Sequence, residues 1–192
     1  MQNPPKFKKH FTFLWILFLV GCVALVLIFP SQFTPQKIAE FIEQFKGTVL
    51  LVYLLVSLLR GLTLVPSTPF VLAGTILLPE NPFLVLGISI LGIIFSSTII
   101  YYFSDYLGFG NYLERKYPAK IEKIKTHLQK PTGFFFVFLW SFFPALPTDA
   151  VCYVAGILRM NFKKYIAAIT FGELIICSIY IFFYSSVIKP VL

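Results

Sequence analysis

The sequence predicts an all-α integral membrane protein: one N-terminal transmembrane helix, then two inverted repeats. Each repeat comprises an interfacial helix, a re-entrant hairpin broken by prolines, and a long transmembrane helix. Three observations carry this expectation. Of 192 residues, 58% are apolar and only 12% charged, with a mean hydropathy of +0.84; soluble domains carry roughly 25% charged residues, and so few charges cannot cover a water-exposed surface. Long uncharged runs alternate with basic clusters. A Pro-x-x-Pro motif followed by a short arm containing Ala-Gly occurs twice, as Pro66 to Pro69 with Gly74 and as Pro144 to Pro147 with Gly156.

Residues 11–29 hold no charge and follow Lys6, Lys8 and Lys9, a run long enough to span a hydrocarbon core. A signal peptide has the same basic start, but its apolar core is usually shorter and ends in a small-residue site, which Phe29-Pro30-Ser31-Gln32 does not offer. The segment is read as an uncleaved anchor, so residues 1–30 form a basic tail plus anchor and residues 31–192 a single membrane domain.

In the first repeat, about 34–108, Thr34 and Pro35 sit at capping and first helical positions, and Ile38, Phe41, Ile42 and Phe45 share one helical face. This is the first interfacial helix. An apolar segment from Thr48 to Val65, interrupted by Arg60-Gly61, runs to the first proline motif. Phe70 to Leu78 is too short to cross, and Phe83 to Tyr106 is a long spanning helix. The second repeat, about 111–188, has the same order. A basic segment from Asn111 to Lys130 places Ile121, Ile124 and Leu128 at helical spacing. Thr132 to Phe143, the second proline motif, Ala150 to Leu158 and Tyr165 to Ile188 follow. Aligning Phe70–Leu77 with Cys152–Leu158 keeps Ala-Gly in register and brings Pro66 and Pro147 within one residue of each other.

Charge counting chooses between a crossing and a hairpin for Thr48 to Val65. With a cytoplasmic N-terminus and a proline motif at each hairpin tip, twelve of the sixteen Lys and Arg face the cytoplasm, with Lys37, Lys46 and Lys189 outside and Arg60 in the membrane. A full crossing would put Arg115 to Lys130 outside, against the positive-inside rule. The hairpins then enter from opposite sides. Non-helical backbone at bilayer depth must be covered by protein or water, so a polar or hydrated cavity is expected near the midplane, as in transporters built from inverted repeats.

Three ionisable residues are expected inside the membrane. Asp149 follows Pro147 at the second hairpin tip; a carboxylate there costs roughly 3 kcal/mol or more on insertion scales. Its role is a proton or headgroup site, an N-cap for the arm starting at Ala150, or both. Glu173 lies ten residues beyond Lys163, roughly 15 Å inward and close to the centre of a core about 30 Å thick. It faces either that same site or a helix interface, with Gly172 allowing close approach. Arg60 either pairs with Asp149 or Glu173, binds a lipid phosphate, or snorkels outward along a tilted arm. Pro66, Pro69, Pro144 and Pro147 break helices, and Gly74 and Gly156 mark the return arms.

The net charge of +8 reflects orientation in the bilayer; no basic face interleaved with stacking aromatics points to nucleic acid. Cys22, Cys152 and Cys177 are odd in number and lie in apolar runs, against a disulfide framework. His10 and His127 are far apart without neighbouring Cys or paired carboxylates, so no metal is expected, and no P-loop or other cofactor motif is present. Gly87 and Gly92 offer a surface for a homo-oligomer.

The stretches Leu64 to Gly74 (LVPSTPFVLAG), Tyr101 to Gly108 (YYFSDYLG) and Phe143 to Gly156 (FPALPTDAVCYVAG), with Arg159, Asn161 and Phe162 beyond, resemble the VTT-domain membrane family (SNARE-associated Golgi protein, DedA-like). The resemblance spans roughly residues 35–188. It implies opposed re-entrant hairpins and movement of lipids across a bilayer, with undecaprenyl phosphate or phospholipid handling and proton-motive-force dependence in bacterial members and scrambling in eukaryotic ones. Many members carry an Arg just before the second proline motif, where Trp140 and Ser141 stand here; Asp149 matches a common acidic or amide position. The expected function is therefore a lipid translocase and not an enzyme, either a scramblase or a proton-coupled carrier of phospholipid or polyprenyl phosphate, in the plasma membrane if the protein is bacterial. The alternatives are a non-transporting assembly or trafficking factor and, third, a lipid-phosphate enzyme, for which clustered catalytic groups are lacking.

Overall fold

A computed structural model describes residues 6–107, 114–143 and 146–184, the side chains of residues 6–9 and of Asp105 excepted. Pro144, Asn111 to Leu113 and the end of the last apolar run lie outside the described residues. Every regular element among the described residues is helical. Helix α1 is Lys6–Ile28, α2 Pro35–Glu43, α3 Val49–Arg60, α4 Thr68–Leu77 and α5 Pro82–Leu107. Helix α6 is Pro118–Gln129, α7 Pro131–Phe142, α8 Thr148–Ile157 and α9 Phe162–Phe183.

Three helices are long and apolar enough to cross a membrane, over His10–Ile28, Pro82–Ser104 and Phe162–Phe183. The apolar helices α3, α4, α7 and α8 have ten to twelve residues each, so each rises about 15–18 Å, roughly half a hydrocarbon core. Their short length follows from the sequence at their ends. After Arg60, α3 tightens into a 3-10 turn over Gly61–Thr63, and Leu64 adopts a left-handed backbone (φ 59°) that no helix continues through. The helix thus stops six residues before Pro66. Pro66 lies in the linker, and Pro69 occupies the first turn of α4, where its missing N–H costs nothing. Pro147 caps α8 as its last non-helical residue.

Helix α2 begins as expected, with Thr34 Oγ1 accepting from the Lys37 backbone N–H at 3.3 Å. Its packed face differs from the expected one. Ile38, Ala39 and Ile42 are buried against α4, whereas Phe41 and Phe45 are exposed and meet edge to face with centroids 5.5 Å apart. A nine-residue helix has room for one narrow buried stripe, and in a lipid-facing protein bulky aromatics are stable outside it.

The two long helices form the centre. Helix α5 packs on α3, α8 and α9, and α9 packs on α7, α5 and α4. Small polar residues line these contacts: Ser57, Ser89, Ser96, Ser97, Ser104 and Ser141 are all buried. Close helix approach in membranes relies on such side chains, because lipid supplies no hydrophobic drive between helices. A Cβ at Gly74 would overlap the Tyr53 ring, and one at Gly156 the Tyr101 carbonyl and Ser104, so both arm glycines are close-packing positions. Gly92 is used within the chain, where a Cβ would stand 2.7 Å from the Ser57 carbonyl, while Gly87 faces open space. Helix α1 stands at the periphery, held by Phe11 and Trp15 edge-on to Phe103 and by Trp15 Nε1–H donating to the Tyr153 hydroxyl at 3.0 Å.

Candidate functional site

The two helix breaks meet at the centre of the molecule and bring charge with them. Arg60 is the last residue of α3 and Asp149 lies in the first turn of α8. A cation at a helix C-terminus and an anion at an N-terminus are each favoured by the helix dipole. Here those two ends face each other. Arg60 Nη1 and Asp149 Oδ2 are 3.6 Å apart, with Arg60 7% and Asp149 2% exposed. Arg60 therefore pairs inward and does not snorkel. The pairing leaves room at the guanidinium: among the described residues its other hydrogen bond is to the Val65 carbonyl at 3.5 Å, and both distances are at the long limit for a five-donor group.

Asp149 is not an N-cap. Helix α8 already begins at Thr148 with Pro147 as the capping residue and no side-chain cap, so the carboxylate is turned to Arg60 and not to its own backbone. Gly61 makes the approach feasible: a Cβ there would overlap Ser96 of α5 and reach within 3.4 Å of Asp149 Oδ1.

Glu173 sits midway along α9, 1% exposed. Thr148, next to Asp149 in the chain, donates its hydroxyl to Glu173 Oε1, and the Cys177 thiol one turn on lies 3.7 Å from Oε2. Gly172 has the close-approach role expected of it, since a Cβ would stand 2.8 Å from both the Phe138 carbonyl and Ser141 Cβ of α7. The polar chain extends further: Cys152 contacts the Thr148 carbonyl at 3.2 Å and the Ser97 hydroxyl at 3.5 Å, and Tyr165 donates to the Ser97 carbonyl at 2.9 Å. Arg60 thus pairs with Asp149, and Glu173 joins them through Thr148, the residue next to Asp149 in the chain. Thr148, Ser97, Cys152, Cys177 and Tyr165 were not foreseen; the one available signal was the i, i+4 spacing of Glu173 and Cys177.

Two openings flank this cluster. A cavity of about 10 Å³ is lined by Pro66, Ser67 and Thr68 from the first break, Ser141 and Thr148 from the second, and Glu173 and Tyr180 from α9. That is the space of a single water molecule, smaller than the hydrated path expected from the sequence. On the other flank an apolar groove of about 300 Å³ between α1 and α3 is lined by Cys22, Leu25, Val56, Leu59 and Val65, and reaches Arg60. Ser141, near the position of the family arginine, faces the small cavity and donates to the Val137 carbonyl at 2.8 Å. Trp140 Nε1–H donates to the Pro147 carbonyl at 3.2 Å and holds the second break.

These features define a multi-pass membrane protein whose apolar helices enclose an ion pair between two broken segments. Residues 65–186 match the model of the VTT domain; the match covers more than half of the chain, which therefore belongs to the VTT domain family. Neither the comparison with curated proteins nor that with solved structures gave a match.

Proposed function

We propose that the chain is a lipid translocase that needs no ATP, in which α3–α4 and α7–α8 are re-entrant hairpins of two inverted repeats within one membrane domain spanning residues 31–192. The observation that carries this reading is the buried Arg60–Asp149–Glu173 cluster at the meeting of the two breaks. Intramembrane charges are costly and mark substrate or ion pathways. A guanidinium with donors to spare suits a lipid phosphate, and the groove that reaches it gives acyl chains a course between α1 and α3 while the headgroup passes the cluster. Two carboxyl groups and one guanidinium share the buried cluster, and an unpaired buried charge is expensive; one proton balances the set, which is the basis for proton coupling. The substrates are membrane phospholipid or polyprenyl phosphate, with the N-terminus cytoplasmic and, in a bacterium, the plasma membrane as the site. No cofactor and no enzymatic step enter the reading.

The test is reconstitution in liposomes with fluorescent headgroup-labelled lipid and an impermeant quencher. Quenching of both leaflets by the wild type, lost in Asp149→Asn, supports translocation through the cluster. Quenching of only the outer leaflet, with and without a pH gradient, rejects general scrambling. The single-water cavity favours a second reading in that event, a membrane assembly factor whose cluster only holds the fold.

A further inference from the structure

We propose that the groove between α6 and α7 binds one anionic membrane phospholipid, its phosphate against the Lys123 ammonium beside the His127 ring and one acyl chain along Ile124, Leu128 and Phe136. The groove has about 400 Å³ and lies apart from the central cluster. Its floor is apolar. Leu128 is buried, while Ile124 and Phe136 are 45% and 48% exposed, so a chain laid along it would cover apolar surface that no protein side chain covers. Gly133 lets the α6–α7 turn close, since a Cβ there would overlap the Leu128 carbonyl.

The rim supplies the charge. Lys123 and His127 are one helical turn apart on the same face. Because a carbonyl only accepts, the 2.8 Å contact to the Lys123 carbonyl is made by the His127 Nδ1–H, which leaves Nε2 as the remaining polar edge of the ring. Four neighbouring cations are engaged: Lys125 with Glu114, Lys164 with the Gln129 carbonyl at 2.8 Å, and Lys116 and Lys120 over the Tyr117 ring. The Lys123 ammonium has no partner among the described residues. Gln129 also donates to the Arg159 carbonyl at 3.0 Å, which ties the end of α6 to the α8–α9 turn and the start of α9. Nine Lys and Arg between Arg115 and Lys164, against Glu114 and Glu122, thus lie on or beside α6 and in the α8–α9 segment tied to it. An apolar slot under an unneutralised cation in a basic field is complementary to an anionic lipid and not to a zwitterionic one.

The full-length protein in nanodiscs of equal parts phosphatidylglycerol and phosphatidylcholine, released for native mass spectrometry, tests this. The wild type should retain one phosphatidylglycerol in preference to phosphatidylcholine. Lys123→Ala should weaken that retention about fivefold, the equivalent of about 1 kcal/mol for one lysine near a lipid surface. Ile124→Trp, which fills the slot, should abolish it, and Lys37→Ala on α2 should not change it. Equal retention of the two lipids, indifference to Lys123→Ala, or displacement by glycerol phosphate alone would overturn the proposal. So would a dimer that forms without lipid and loses its contact in Ile124→Trp. The Arg60–Asp149 pair is untouched by these variants, so lipid retention and liposome translocation fail independently.

Discussion

Replacing the central ion pair one partner at a time, and then both together, asks whether Arg60 and Asp149 act as a unit. At 3.6 Å, an effective dielectric constant of about 20 gives an attraction of about 5 kcal/mol. Most of this is offset by taking two ions out of water, so the pair adds little net stability. The asymmetry lies in the single variants. Arg60→Met leaves the buried Asp149 carboxylate without its counter-ion and Asp149→Leu leaves the buried guanidinium without its ion-pair partner, and each should cost about 3–5 kcal/mol. Arg60→Met with Asp149→Leu removes both charges and fills similar volume, so it should cost no more than about 1–2 kcal/mol. Equilibrium unfolding in mixed micelles, read by tryptophan fluorescence, gives the four corners of the cycle. The expected coupling is at least about 3 kcal/mol. A double variant whose loss equals the sum of the two singles would show that the charges do not depend on each other, and the cluster would lose its basis.

Further outcomes follow from the packing and the polar chain. Gly156→Ala drives a Cβ into the Tyr101 carbonyl and Ser104 and should cost about 1–3 kcal/mol. Gly87→Ala, in open space within α5, should stabilise by about 0.5–1 kcal/mol; thermal unfolding in detergent compares the two. Tyr165→Phe removes the donor to the buried Ser97 carbonyl and should lower stability by about 1–3 kcal/mol in the same assay. Glu173→Gln keeps the Thr148 contact but removes the titrating group; transport driven by a pH gradient should disappear while passive scrambling persists, and loss of both would refute a proton-specific role for Glu173.

The elements were largely legible in the sequence because uncharged run length, proline position and lysine clustering each report a property of the bilayer. Asp149 and Glu173 were legible for the same reason: a carboxyl at membrane depth stands out from its apolar neighbours. Arg60 was visible as a charge with Asp149, Glu173 or a lipid phosphate as candidate partners; the choice of Asp149 is set by where α3 ends, and that end comes from a 3-10 turn and the left-handed Leu64 and not from Pro66. The serine and cysteine contacts were illegible because Ser97, Cys152 and Cys177 look like ordinary small residues in apolar helices until a neighbour is placed. Phe41 and Phe45 misled because periodicity marks which side chains share a face but not whether protein or lipid covers it.

The contact pattern of the long helices bears on how the protein could be divided. Helix α8 from the later half lies on α5 of the earlier half, and α4 from the earlier half lies on α9 of the later one. Each half has lent a short arm to the other, and the Arg60–Asp149 contact is where the exchange closes. A fragment ending after α5 would therefore expose the faces of α5 and α4 that α8 and α9 cover, and its complement would expose the matching faces of α8 and α9. Two such fragments made in the same cell should find each other, and neither should persist alone.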